Sequence, residues 1–150
     1  MTTDDELPRD DPHLRPPGAS DELVAAIGKV TEALEWVERA RGHLYEFHQL
    51  SGHADLLFGE AADALRDAGA DEAGAVLQDE LVGRNVLDGR WTFQIVEEYD
   101  DGYYADAKAM ERRIRVDLID GRRHVHESEM KEERRTKGRP GHEARPRPAG

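Results

Sequence analysis

The residues best equipped for chemistry crowd into one stretch, GRNVLDGRWTFQIVEEYDDGYY at 83–104. Arg84, Asn85, Arg90, Gln94, Glu97 and Glu98 stand there among Trp91, Phe93, Tyr99, Tyr103 and Tyr104. On a helix Arg90, Gln94 and Glu98 fall at i, i+4 and i+8 and share one stripe, with Trp91, Ile95 and Tyr99 on the next. A guanidinium, amides and carboxylates converging beside aromatic rings can hold a polar ligand or exchange a proton. The same set can be a structural network, because a buried charge without a partner is costly. Arg41 is the natural outside partner, since it interrupts an otherwise apolar row. The economical pairing joins Arg41 or Arg90 to Glu97 or Glu98, with Asn85, Gln94 and Tyr99 completing the network. The structural reading is the favoured one.

The histidines are the second candidate. His43, Glu46, His48 and His53 lie within eleven residues, and imidazole with carboxylate is a ligand set for zinc or non-haem iron. Helical di-iron sites use Glu-x-x-His, which the chain lacks, as it lacks His-Glu-x-x-His. His43 and His48 are five apart, about 140° around a helix, so they diverge. No metal is favoured and no cofactor is expected. There is no cysteine, Gly-x-Ser-x-Gly, Walker loop or Gly-x-Gly-x-x-Gly either, so thiol, serine and nucleotide chemistry have no support. Whether the protein is an enzyme stays open, leaning against.

These residues must be carried by helices. Ser20 followed by Asp21 and Glu22 is a helix start. Leu23, Ile27, Val30, Leu34, Val37, Arg41, Leu44 and Phe47 then follow at alternating steps of four and three, a heptad row with Arg41 as its polar interruption. Ser51-Gly52 is expected to end this helix. Leu57, Ala61, Ala64, Leu65 and Ala68 mark a second one, stopped at Gly69. Asp71 opens a third, carrying Val76, Leu77 and Leu81 and extending as far as Leu87 at its longest. Asp88-Gly89 reads as a turn. WTFQIVEEY has β-branched and aromatic character, but no strand of comparable quality exists to pair with it, so it is assigned to a helix. Asp100-Asp101-Gly102 is expected to punctuate the chain before a last long helix through Tyr103, Ala107, Met110, Ile114, Leu118, Gly121 and Val125.

Charge and composition bound the rest. Apolar residues make up 37% and charged residues 36% of the 150 positions, so the core must be lean or shared with another subunit. The net charge of −12 divides into −5 over 1–22, −11 over 23–102 and +4 over 103–150. An acidic body repels phosphate backbones, and acids interleave with the bases of 111–139, so nucleic acid is disfavoured. No apolar run is long enough for a membrane span, and the acidic, proline-rich start is unlike a signal peptide, which predicts a soluble cytoplasmic protein.

The runs RNVLDGRWTFQIVEEYD and MKEERRTKGRPGHE, with 17 Arg against four Lys, resemble short uncharacterised helical proteins of high-GC actinobacteria. That resemblance implies no activity and assigns no functional residue.

The sequence thus predicts an all-α protein, an antiparallel helical bundle of about four helices, two of them long. Residues 1–19 are expected to be a disordered acidic Pro-rich tail, 20–136 the helical bundle domain, and 137–150 a disordered basic tail. The expected role is a non-catalytic interaction or structural protein that partners with protein or with copies of itself. The alternative is a ligand- or metal-binding bundle using its interior His, Glu and Arg groups.

Overall fold

A computed structural model describes residues 6–147 and 149. The fold is all-α: α1 spans Asp21–Asp67, α2 Asp71–Glu80, α3 Thr92–Tyr99, α4 Ala105–Ile119 and α5 Val125–Arg134. Residues 1–5, 148 and 150, part of the expected tails, lie outside the described residues. Residues 6–19 and 137–147 hold turns but no helix. No helix among the described residues is long and apolar enough to cross a membrane.

Two expected boundaries are absent. The chain does not break at Ser51-Gly52; α1 runs unbroken for 47 residues, about 70 Å at 1.5 Å per residue. Glycine weakens a helix but does not stop one. Nor do Asp100-Asp101-Gly102 interrupt the backbone. They sit in a π-helical turn, Asp100–Tyr104, flanked by Tyr99 and Ala105 in right-handed helical geometry, so the chain stays helical from α3 into α4. The last helix is shorter than expected. Asp120, Gly121 and His124 take positive φ values of 56°, 71° and 56°, which separates α4 from α5.

Other signals act as expected. Ser20 Oγ accepts the Leu23 N–H at 3.1 Å and caps α1. Gly69, at φ 84°, ends it: its N–H bonds the Arg66 carbonyl and the Ala70 N–H bonds the Leu65 carbonyl, the paired bonds of a Schellman motif. WTFQIVEEY is helical, with Trp91 extended before it. Asp88-Gly89 forms the turn of a short bridge between Leu87 and Arg90.

Backbone contacts divide the chain into two compact units. One joins residues up to Glu35 with those from Ala107 onward; the other is Trp36–Asp106. They are called the terminal unit and the central unit below.

In the terminal unit Val24, Ile27, Ile119 and Val125 are buried together, with Ala19, Leu23 and Ile114 packed against them. His126 lies over Gly28 so closely that a Cβ there would sit 3.1 Å from the His126 side chain. α4 is rotated from its expected face: Met110 and Leu118 are exposed, and Glu111 is buried. The Glu111 carboxylate is matched by Arg115, Nε to Oε1 at 2.5 Å and Nη2 to Oε2 at 3.3 Å. Arg115 also donates to the Gly121 carbonyl at 2.8 Å, tying the turn after α4 to the helix. The flanking segments are held by long side chains. Arg15 grips both carboxylate oxygens of Glu129, at 2.6 and 2.9 Å. Arg122 donates to the Leu14 carbonyl at 2.6 Å, and Lys131 to that of Ala144 at 2.5 Å.

In the central unit Ala62 and Val96 are the buried apolar residues. α2 crosses α1 at Gly74, where a Cβ would lie 2.7 Å from the Ala62 carbonyl oxygen. Asp55 accepts the Gly83 N–H at 2.8 Å and fixes the segment after α2.

Candidate interaction surface

The polar residues singled out in the sequence do not form one network. Arg41 finds neither Glu97 nor Glu98. Its guanidinium takes Asp100 in a two-pronged bond, Nε to Oδ1 at 2.8 Å and Nη2 to Oδ2 at 3.2 Å. The π-helical turn supplies Asp100, which is why helical spacing along 90–98 could not point to it. Tyr45 donates to Asp100 at 3.2 Å, and the Arg41 guanidinium lies 4.4 Å from the Tyr104 ring centroid. Tyr104 in turn donates to Glu38 at 2.7 Å. The hydrogen bonds from Arg41 hold the Asp100 carboxyl below the usual carboxylate range. The bond to Glu38 raises the Tyr104 phenol above its ordinary value, and loss of hydration adds to that shift.

The remaining members scatter. Arg90 pairs with Glu98 at 2.6 Å, one of the combinations expected, but both side chains are more than half exposed. Gln94 Oε1 accepts the Trp91 N–H at 2.9 Å, so it caps α3. Tyr99 packs its ring against Tyr103, with centroids 5.9 Å apart. Glu97 is exposed. Arg84 and Asn85 line a groove of ≈ 410 Å³ with Ser51, Asp55, Phe58 and Leu81.

The histidines also go separate ways. His43 is exposed beside Glu46, Nδ1 to Oε2 at 3.2 Å. His48 faces inward and its Nδ1 is hydrogen-bonded to the Thr92 hydroxyl at 2.6 Å. His53 is exposed. Among the described residues no three His, Asp or Glu side chains gather in a metal-holding group.

The feature that sequence reading missed lies along α1. Within the central unit its sheltered face is Arg41, Leu44, His48, Ser51, Asp55, Gly59 and Ala62, mostly polar or small. Its open face is Trp36, Ala40, His43, Phe47, Leu50, Ala54, Leu57, Ala61 and Ala64, all exposed. Those nine follow steps of four and three without a fault, a heptad seam of four turns of repeat with one polar member, His43. Trp36 is 59% exposed, Leu50 67% and Leu57 49%. The row read from the sequence is sheltered from Leu23 to Leu44, but its last member, Phe47, is exposed and belongs to the open face instead. The second seam was hidden by the helix break expected at Ser51-Gly52. Once α1 is continuous, Leu57, Ala61 and Ala64 fall in register with Phe47 and Leu50, and the unbroken spacing of Phe47, Leu50, Ala54 and Leu57 was the available signal.

Beside the seam stand Arg39, Glu46, His53 and Glu60, one residue before Ala40, Phe47, Ala54 and Ala61. Arg39 stacks on Trp36, 4.3 Å from the ring centroid. An apolar heptad row flanked by charges is the chemistry of helix-to-helix docking, not of bond making.

No protein-family model, curated protein or solved structure matches the chain.

Proposed function

We propose that this protein is a non-catalytic helical interaction protein that associates with itself. The exposed heptad seam of α1 carries the reading. A contiguous apolar face of this length is costly in water, and covering it is favourable by roughly 25 cal/mol per Å² of apolar surface. The chemistry-bearing side chains of the central unit support a structural rather than catalytic role for themselves. Arg41 is occupied by Asp100, His48 by Thr92, and Gln94 by the backbone of Trp91.

Light scattering on the full chain at micromolar concentration tests this. A dimer or higher species is expected, dissociating on dilution. A monomer at about 100 μM would remove the proposal, because an interface weaker than that is not a stable assembly.

A further inference from the structure

We infer that the partner on the α1 seam is a second copy of this chain lying antiparallel, related by a two-fold axis near Phe47 and Leu50. This rests on the self-association proposed above and goes further by fixing surface, direction and register.

Size decides the direction first. The seam is bulky toward Trp36, Phe47 and Leu50, and small toward Ala54, Ala61 and Ala64. In a parallel pair each residue meets itself. Phe47 would face the partner's Phe47, His43 the partner's His43, and Ala54 the partner's Ala54, which crowds some layers and leaves others hollow. Run antiparallel, one register pairs the eight seam residues from Trp36 to Ala61 with no residue against itself, and leaves Ala64 beyond the paired layers. Trp36 meets the partner's Ala61, Ala40 the partner's Leu57, and His43 the partner's Ala54. Phe47 meets the partner's Leu50 at the axis. Each contact occurs twice, as an isologous interface requires.

Charge agrees independently. In that register the flanking positions that precede Ala40, Phe47, Ala54 and Ala61 face their own kind across the interface. Arg39 then meets the partner's Glu60 as an opposite charge, and Glu46 meets the partner's His53 as a hydrogen-bonding neighbour. Opposite charges at such flanks set orientation and partner choice. The parallel arrangement would place Arg39 by the partner's Leu44, Glu46 by the partner's Ser51 and His53 by the partner's Phe58, with no ion pair among them.

The absence of native cysteine allows single spin labels on the full chain. Gln49 and Asp63 are exposed and lie two heptads apart, so both stand at the same angle to the seam. In the antiparallel pair a label at Gln49→Cys lies almost on the axis, so the two copies sit within about 25 Å, given helices about 10 Å apart. Labels at Asp63→Cys are separated by about 43 Å along the helix, from a rise of about 1.5 Å per residue. Short at 49 and long at 63 is the expected result. Short at both positions means a parallel pair and overturns the orientation while leaving self-association standing. Long at 49 places the axis elsewhere and overturns the register. A monomer overturns both readings.

A charge exchange gives a second readout. Glu60→Arg should weaken association by about tenfold through two like-charge contacts, and adding Arg39→Glu should recover most of it. No recovery would contradict the register. Leu50→Glu should give a monomer with unchanged helical circular dichroism, because Leu50 is 67% exposed within the single chain. A persistent dimer in that variant would place the interface off the seam.

Discussion

Val24, Ile27, Ile119 and Val125 close over one another in the unit built from the two ends of the chain, whereas in residues 36–106 only Ala62 and Val96 are buried apolar side chains. The contrast on the outside is the reverse. Of the 18 large apolar side chains exposed among the described residues, 14 belong to the central unit and four to the terminal one. The terminal unit spends its apolar residues inward and secures its flanks with Arg15, Arg122 and Lys131. The central unit turns a partly polar stripe inward, locks it with Arg41–Asp100 and His48–Thr92, and shows its apolar seam to water. One chain thus contains a region that completes its own core and a region that leaves apolar surface to be covered. The charge-rich composition is thus uneven in its consequences: the polar stripe that the central unit turns inward leaves the apolar seam outside.

The comparison breaks first at Ile119. Ile119 is 2% exposed, so Ile119→Ala should cost about 3 kcal/mol or more in denaturant melts, through lost burial and a cavity. Leu50→Ala should leave the stability of the isolated chain within about 0.5 kcal/mol and act on association instead. Equal effects of the two substitutions on unfolding at low protein concentration would abolish the distinction between the units.

Glu111→Ala comes next. It leaves the Arg115 guanidinium without its carboxylate in a site where the two side chains are 14% and 8% exposed. A loss of about 3 kcal/mol is expected from breaking such a pair, read from the same melts. Gly74→Val tests the close approach of α2 to α1. Its Cβ would meet the Ala62 carbonyl, and overpacking of this kind costs about 1–3 kcal/mol. A neutral result would show that α2 can move off α1 freely.

The smallest effect is a pH effect at Asp100. Its carboxyl is depressed in the folded chain, so the contribution of its pair with Arg41 is fully present above the ordinary value of 3.8 and is lost as pH falls through the lower folded value. Asp100→Asn should therefore lower stability at neutral pH and flatten the acid limb. A urea series from about pH 7 to about pH 3 checks it; parallel curves for the two proteins would mean that the pair contributes nothing.

Much of the local structure was legible. Ser20, Gly69 and Asp88-Gly89 are read correctly because each acts through its own backbone or that of immediate neighbours. The helix over WTFQIVEEY followed from the want of a pairing strand. The errors share a cause. Ser51-Gly52 and Asp100-Asp101-Gly102 are residue types that permit a break, and the tertiary setting did not use the permission. Arg41 was rightly singled out as needing a partner, but a π-helical turn shifts the register of everything after Tyr99 and delivers Asp100 instead of Glu97 or Glu98. Glu111 looked like one more solvated acid on a charged helix; the face of α4 that turns inward buries it with Arg115.

The sequence by itself makes the chain legible as helical, with a cap at Ser20, a stop at Gly69 and a heptad row from Leu23, but not as one continuous helix between them. Those follow from caps, glycine geometry and side-chain period, which are local. Only the tertiary structure decided which of two interleaved rows on α1 turns inward. Both rows carry the same period, and period fixes that a face exists, not which face a neighbour covers. The neighbours, α2, α3 and the π-helical turn, offer Gly74, Thr92 and Asp100, which suit the polar, small row of Arg41, His48 and Ala62. That choice leaves Trp36, Phe47, Leu50 and Leu57 outside.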